Sequence, residues 1–266
     1  MGFEDIRKIE NEAEQVNEIY NIFDEDSRLN GSKAARVEFL TTVRAIEDYL
    51  SPGSRILDIG AGAGEYSLHF SRMGYEVTAV ELADANISSF RRKICPEDRV
   101  ELHQGNALDL SFLPDESFDI VLIFGPLYHL HNSEDRIRAI DEAKRVCKKD
   151  GKLFFAFITN DFVILTELMY DSRYFLDGDY DKQSFRLHDF PFVFATVERA
   201  REMLSSSGVK ILREIAADGV SELLSDKINA MDEESYAQYL RYHYYISEKK
   251  EFLGMTNHLL LVGEKE

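Results

Sequence analysis

The stretch Arg55-Ile-Leu-Asp-Ile-Gly-Ala-Gly-Ala-Gly-Glu65 constrains this chain more than any other. An apolar run that stops at Asp58 and opens into glycines at 60, 62 and 64 reads as a buried parallel strand, a tight turn and a helix start. Glycine suits such a turn because it tolerates positive φ and lets a ligand approach bare backbone. The free N–H groups of the following helix then favour an anionic group. A second apolar run, Val77-Thr-Ala-Val-Glu81, also ends in an acid.

Two kinds of nucleotide site use a turn like this. A dinucleotide fold needs Gly-x-Gly-x-x-Gly/Ala, its last small residue letting helix and strand pack closely. Counting from Gly60, that place is held by Glu65, a bulky carboxylate. The nicotinamide or flavin reading therefore loses ground. What remains, Asp-x-Gly-x-Gly-x-Gly, resembles motif I of the class I S-adenosylmethionine-dependent methyltransferases.

The length of 266 residues suits one domain with elaborations, and 44% hydrophobic with 30% charged residues describes a folded chain. A net charge of -18 opposes a phosphate backbone unless basic residues gather on one face. The basic clusters, Arg91-Arg92-Lys93 and Lys148-Lys149 with Lys152, read as solvated helix ends. Cys95 and Cys147 are the only cysteines, and no Cys/His cluster offers a metal cage, so no metal is expected. The acidic, amphipathic N-terminus and the lack of an apolar run near the roughly 20 residues that cross a bilayer lead to the expectation of a cytoplasmic protein with no membrane partner.

Along the chain, Ile6, Ile9, Ala13, Val16, Tyr20 and Phe23 predict one amphipathic helix over about 4–24, broken by Asp24 to Gly31. A second helix is predicted over about 32–50. Strands are expected near 54–59, 76–81, 99–104, 118–124, 151–158, 209–215 and 258–262. Helices are expected near 64–73, 84–94, 133–148, 196–207 and 235–246. Such alternation calls for an α/β fold, a doubly wound and mostly parallel seven-stranded sheet with helices on both faces.

The resemblance implies the Rossmann-like methyltransferase fold. It also implies a division into an N-terminal helical lid, residues 1–50, and a cofactor-binding domain, residues 51–266, with cap insertions at about 160–195 and 219–250. The aromatics of the first insertion suggest a planar or apolar substrate. The stripe Tyr236, Tyr239, Leu240, His243 and Ile246 is either core packing or a second substrate wall.

The site follows from the same resemblance. Glu81 is placed to accept the ribose hydroxyls, with Leu82 beside it. The loop Gln104-Gly-Asn-Ala-Leu-Asp109 resembles the adenine-contacting Gly-Asp-Ala loop, with Asn106 and Ala107 in its contact positions. Phe118 to Leu130 matches motif IV in position, and its Gly125-Pro-Leu-Tyr-His-Leu form resembles a group of bacterial small-molecule enzymes. Gly125 cannot accept amine hydrogens as the Asn/Asp-Pro-Pro-Tyr of base-amine methyltransferases does. Tyr20 and Arg28 resemble the lid tyrosine and carboxylate-gripping arginine of several relatives. Cofactor contacts are thus expected from Tyr20, Arg28, Asp58, Gly60, Ala61, Gly62, Gly64, Glu81, Leu82, Asn106, Ala107, Phe124 and Gly125.

Tyr128 and His129 are the candidates for chemistry. His129 is either a general base or a partner of its neighbouring loop. The expected reaction carries the methyl of S-adenosylmethionine, leaving S-adenosylhomocysteine, to O, N or C of a small molecule, an aromatic metabolite among the candidates. Two alternatives stay open: a tRNA or rRNA methyltransferase, and a non-catalytic S-adenosylmethionine-binding regulator. Oligomeric state is not written in the sequence.

Overall fold

The computed structural model describes residues 2–23 and 25–266. Asp24, where the first break was expected, and Met1 lie outside the described residues.

The single helix expected over 4–24 is two: α1 (Phe3–Ile6) and α2 (Glu12–Tyr20). Asn11 ends the first run by capping the second, its side chain accepting the Glu14 N–H at 3.0 Å. The buried Gln15 amide then donates to the Ile6 carbonyl at 3.2 Å, satisfying a backbone group that α1 leaves open. α3 (Glu25–Arg28) and α4 (Arg36–Glu47) follow, α4 being shorter than the 32–50 expected. Phe39, Val43 and Ile46 of α4 pack in one cluster with Ile56, Ile120 and Phe154 of the sheet. α4 is thus a sheet-covering helix, and only α1 to α3 remain as candidates for a lid.

The main strands are β1 (Arg55–Ile59), β2 (Glu76–Glu81), β3 (Val100–Gln104), β4 (Phe118–Ile123), β5 (Cys147–Thr159), β6 (Val209–Ala216) and β7 (His258–Lys265). They lie in the order β3-β2-β1-β4-β5-β7-β6, with β7 antiparallel to both neighbours and the rest parallel. The sheet has eight strands rather than seven, because Phe194–Ala195 pairs parallel with Ile158–Thr159. α5 (Glu65–Arg72), α6 (Asp84–Lys93) and α7 (Ser133–Val146) connect the parallel strands. β5 begins at Cys147, earlier than expected, with a register shift against β4 between Phe118 and Ile120. Strand order reverses between β1 and β4, which opens a crevice at their carboxyl ends.

The first insertion carries α8 (Asn160–Thr166), α9 (Tyr174–Asp177) and a small hairpin of Tyr180–Asp181 with Arg186–Leu187. α10 (Val197–Ser206) returns the chain to the sheet. α11 (Ser225–Asn229) and α12 (Glu233–Ile246) fill the second insertion. Tyr236 of α12 is buried with Ala34, Val37 and Ile228, and Tyr239 and Leu240 pack against the same group. Buried His243 places Nε2 3.2 Å from the Ala217 carbonyl. The α12 stripe is packing, and none of its members lines the large cavities described below.

Candidate active site

The carboxyl end of β1 delivers Asp58, 1% exposed, to the floor of the crevice. Burial pushes its carboxyl up to about 7, against the Ser67 hydroxyl that donates to it at 2.7 Å and with nearby Glu81 adding to the rise. The turn beyond it has Gly60, Gly62 and Gly64 at φ of 74°, 55° and 85°. Gly60 also lies so close to the β4 exit loop that a Cβ would meet Pro126 Cδ at 2.6 Å. Gly64 lines neither of the two cavities at this turn, and a Cβ there would run into the Phe90 ring.

Glu81 closes β2 and is 4% exposed. Its carboxylate accepts the N–H groups of Gly62 and Ala83, each at 2.7 Å, so it braces the glycine turn. Burial raises its pKa while these N–H groups pull it back. Glu65, which spoiled the dinucleotide pattern, accepts Lys93 at 2.7 Å and also Asn30 of the segment before α4.

Three cavities meet at the switch point. The first, about 550 Å³, is lined by Gly60, Glu81, Leu82, Asn106, Ala107, Gly125 and His129, with Val16 and Tyr20 of α2 as its roof. Glu81 offers this cavity a carboxylate, and Leu82, Ala107 and Leu108 give it an apolar side. Asn106 accepts the Leu108 N–H on its side-chain oxygen at 3.0 Å. The second cavity, only about 30 Å³, lies against Asp58, Ala61, Gly62 and Phe124 and is closed by Glu25 and Arg28.

The third, about 710 Å³, lies under the first insertion, walled by Phe23, Tyr174, Phe190, Phe192 and Phe194 with Glu167 and Glu222 among its polar groups. Tyr20 borders all three cavities, and Tyr128, Glu25 and Arg28 border the second and third.

His129, the candidate general base, is not among the residues that line the third cavity. It lines the first cavity, and its Nε2 is 2.8 Å from the Tyr20 hydroxyl. Nδ1 is buried without a hydrogen-bond partner among the described residues. Burial, with His131 nearby, drives its pKa down to about 3, so the ring is neutral. Tyr128, from the exit loop of β4, reaches the third cavity, and burial raises its pKa. Arg28 is engaged as well: Nε donates to Glu25 at 2.9 Å and Nη1 to Glu38 at 2.8 Å.

Residues 57–155, from β1 into β5, match the family described as methyltransferase domain. This segment is therefore similar to a methyltransferase domain. A demethylmenaquinone methyltransferase of Clavibacter sepedonicus is 34% identical over 133 residues, which is 50% of this chain and 51% of that protein. An uncharacterized methyltransferase of Bacillus subtilis is 40% identical over 101 residues, 37% and 38% of the two chains. The chain spans about half the length of the curated relatives it matches, or less. Among solved structures, a Pyrococcus horikoshii protein superposes with TM-score 0.61 at 19% identity, covering 94% of this chain and 99% of that one. A magnesium protoporphyrin IX methyltransferase of Synechocystis with bound SAH gives 0.58 at 13% identity, covering 96% and 100%. Both show that the fold shared with these two proteins extends over nearly the whole chain.

Sequence reading missed Glu25, Glu38, Asp218 and His258 of the site. Burial, with neutral histidine favoured, is overruled at His258, where Glu38 and Asp218 push the imidazole up to about 9. Asp218 Oδ2 is 2.8 Å from His258 Nδ1. Nothing in local spacing announces this group, because its members come from α4, the turn after β6 and the start of β7. Among the described residues no helix is long and apolar enough to cross a membrane.

Proposed function

We propose that this chain transfers the methyl group of S-adenosylmethionine to an O, N or C atom of a small, aromatic or apolar molecule held in the 710 Å³ cavity. The observation that carries this reading is the shared wall. Tyr20 and Tyr128 border both the crevice at the glycine turn and the aromatic cavity, so a methyl donor and an acceptor meet across them. The residues present fit the donor: Glu81 for the ribose, Leu82 and Asn106-Ala107 for the adenine, and the Gly60 to Gly62 turn with Arg28 for the amino-acid end. The sulfonium supplies an activated methyl, so the protein's main task is to hold a nucleophile in line with it. Tyr128, rather than His129, is the side chain placed to touch that nucleophile.

The aromatic walls suit a planar acceptor, and a demethylmenaquinone methyltransferase among the relatives favours a quinone-like ring. A nucleic-acid substrate is opposed by the net charge of -18 and by Glu167, Glu222 and Asp179 at the cavity wall. Calorimetric titration with S-adenosylmethionine and S-adenosylhomocysteine, followed by a screen of phenols, quinols and aromatic amines for S-adenosylhomocysteine release, tests the reading. No binding of either nucleoside ends it.

A further inference from the structure

Three residues far apart in the chain bring ligand-type atoms together at the edge of the aromatic cavity. Glu38 comes from α4, Asp218 from the turn after β6, and His258 from the first residue of β7; their offered atoms all lie within 4.8 Å of one another. His258 Nδ1 is 2.8 Å from Asp218 Oδ2 and 3.3 Å from Glu38 Oε2. One ring nitrogen thus faces two carboxylates, and a single N–H can point along only one of those lines. The same separations suit the edges of a coordination shell, since bonds of about 2.1 Å to a divalent ion set neighbouring ligands about 3 Å apart.

Charge argues in the same direction. Glu25, Glu38 and Asp218 bring three negative charges to a group whose fixed cation is Arg28, bonded to both glutamates. The side chains of Asp218 and Glu38 are only 10% and 13% exposed, so water does little to offset them. A proton on His258 leaves the group one charge negative, whereas a divalent ion on a neutral imidazole balances it.

The surroundings are also prepared. Asp218 Oδ1 accepts the His258 backbone N–H at 3.1 Å and the Thr256 hydroxyl, which turns Oδ2 toward the site. Outer hydrogen bonds of this kind fix ligating carboxylates. Three protein ligands leave coordination positions open, and His258 lines the acceptor cavity.

We propose that Glu38, Asp218 and His258 bind one divalent transition-metal ion of the Mn²⁺ or Zn²⁺ type at the wall of this cavity, open to an oxygen or nitrogen of the bound molecule. An imidazole with two carboxylates suits such ions better than Ca²⁺ or Mg²⁺. The site stands on its own geometry and goes beyond the methyl-transfer reading.

Chelator-treated protein titrated calorimetrically with Mn²⁺, Zn²⁺ and Mg²⁺ tests it. The expected result is one equivalent of Mn²⁺ or Zn²⁺, weakened at least tenfold in both Asp218→Asn and His258→Gln, with Mg²⁺ much weaker. Should those variants fail to fold, Mn²⁺ added to the native protein must broaden the amide NMR signals of Thr256 and His258 before those of surface acids. Absence of stoichiometric binding, undiminished binding in the variants, or broadening confined to surface acids overturns the proposal. S-adenosylhomocysteine binding by the same chelated protein reports separately on the methyltransferase reading.

Discussion

Tyr20 and His129, 109 residues apart, are joined by a 2.8 Å hydrogen bond between the hydroxyl and Nε2, with their rings edge to face at 5.3 Å. This contact ties α2 to the exit loop of β4 and makes one wall from two segments. Tyr20→Phe keeps the ring and deletes the bond. The other ring nitrogen of His129 has no partner among the described residues, so the loss strips the imidazole of its side-chain hydrogen bond. Unfolding free energy should fall by about 1–2 kcal/mol at constant m-value. An unchanged urea midpoint would mean that the two segments are not joined in solution.

Buried neutral His129 also sets a pH slope. Its folded pKa of about 3 lies below the ordinary 6.5, so between those values the unfolded chain binds a proton that the native state refuses. Stability from this residue is complete above 6.5 and drains away as pH falls, by up to about 1.4 kcal/mol per unit. His129→Gln should flatten that part of the acid limb in urea melts taken from pH 4 to pH 7. A slope equal to that of the native protein would show that the ring charges without cost.

Asp58 pulls the other way. Its carboxyl, pushed up to about 7 from 3.8, keeps a proton in the native state that the unfolded chain has already released. Its contribution is therefore intact below 3.8 and lost as pH rises toward 7, opposing His129 across the range where both titrate. Asp58→Asn should remove this loss, making the variant gain stability over native between pH 5 and pH 8. A variant that gained nothing on that interval would place the ionised carboxylate in the native fold.

Glu81 carries two tasks, bracing the turn through the Gly62 and Ala83 N–H groups and facing the first cavity. Glu81→Gln keeps the shape but weakens the acceptor, and affinity for S-adenosylhomocysteine should drop by roughly 10- to 100-fold, the worth of one or two charge-assisted hydrogen bonds. Calorimetry reads this directly. Full affinity in the variant would move the ribose elsewhere.

What the sequence displayed was local. The run into Asp58 and the alternate glycines sit within a few residues of the turn they build, so their spacing marked it, while Glu81, 19 residues beyond Gly62, was marked by closing an apolar run of its own. The break between α1 and α2 was also written, as Asn11 followed three residues later by Glu14, but apolar spacing continues through it and masked the cap. Periodicity marked the α12 stripe as a buried face without saying what covers it, and Ala34 and Val37 do. The partners of His129 and His258 were beyond reach. Each is fixed by how α2, α4 and the strand ends converge, which no run of neighbouring residues encodes.

Two glycines isolate how much the cofactor turn depends on close approach rather than on backbone handedness. Gly53 and Gly60 both hold left-handed conformations, at φ of 83° and 74°. A Cβ on Gly53 would meet nothing within 4 Å, whereas one on Gly60 would meet Pro126 Cδ at 2.6 Å. Alanine at either place incurs about 1–2 kcal/mol for the backbone. Gly60→Ala must also push apart the turn and the Gly125-Pro126 loop, which overpacking makes worth a further 1–3 kcal/mol or so. Both segments line the first cavity, so S-adenosylhomocysteine affinity should fall at least tenfold in Gly60→Ala and stay unchanged in Gly53→Ala. Equal melting points and equal affinities for the two variants would show that the contact with Pro126 yields freely and that handedness alone requires glycine at the turn.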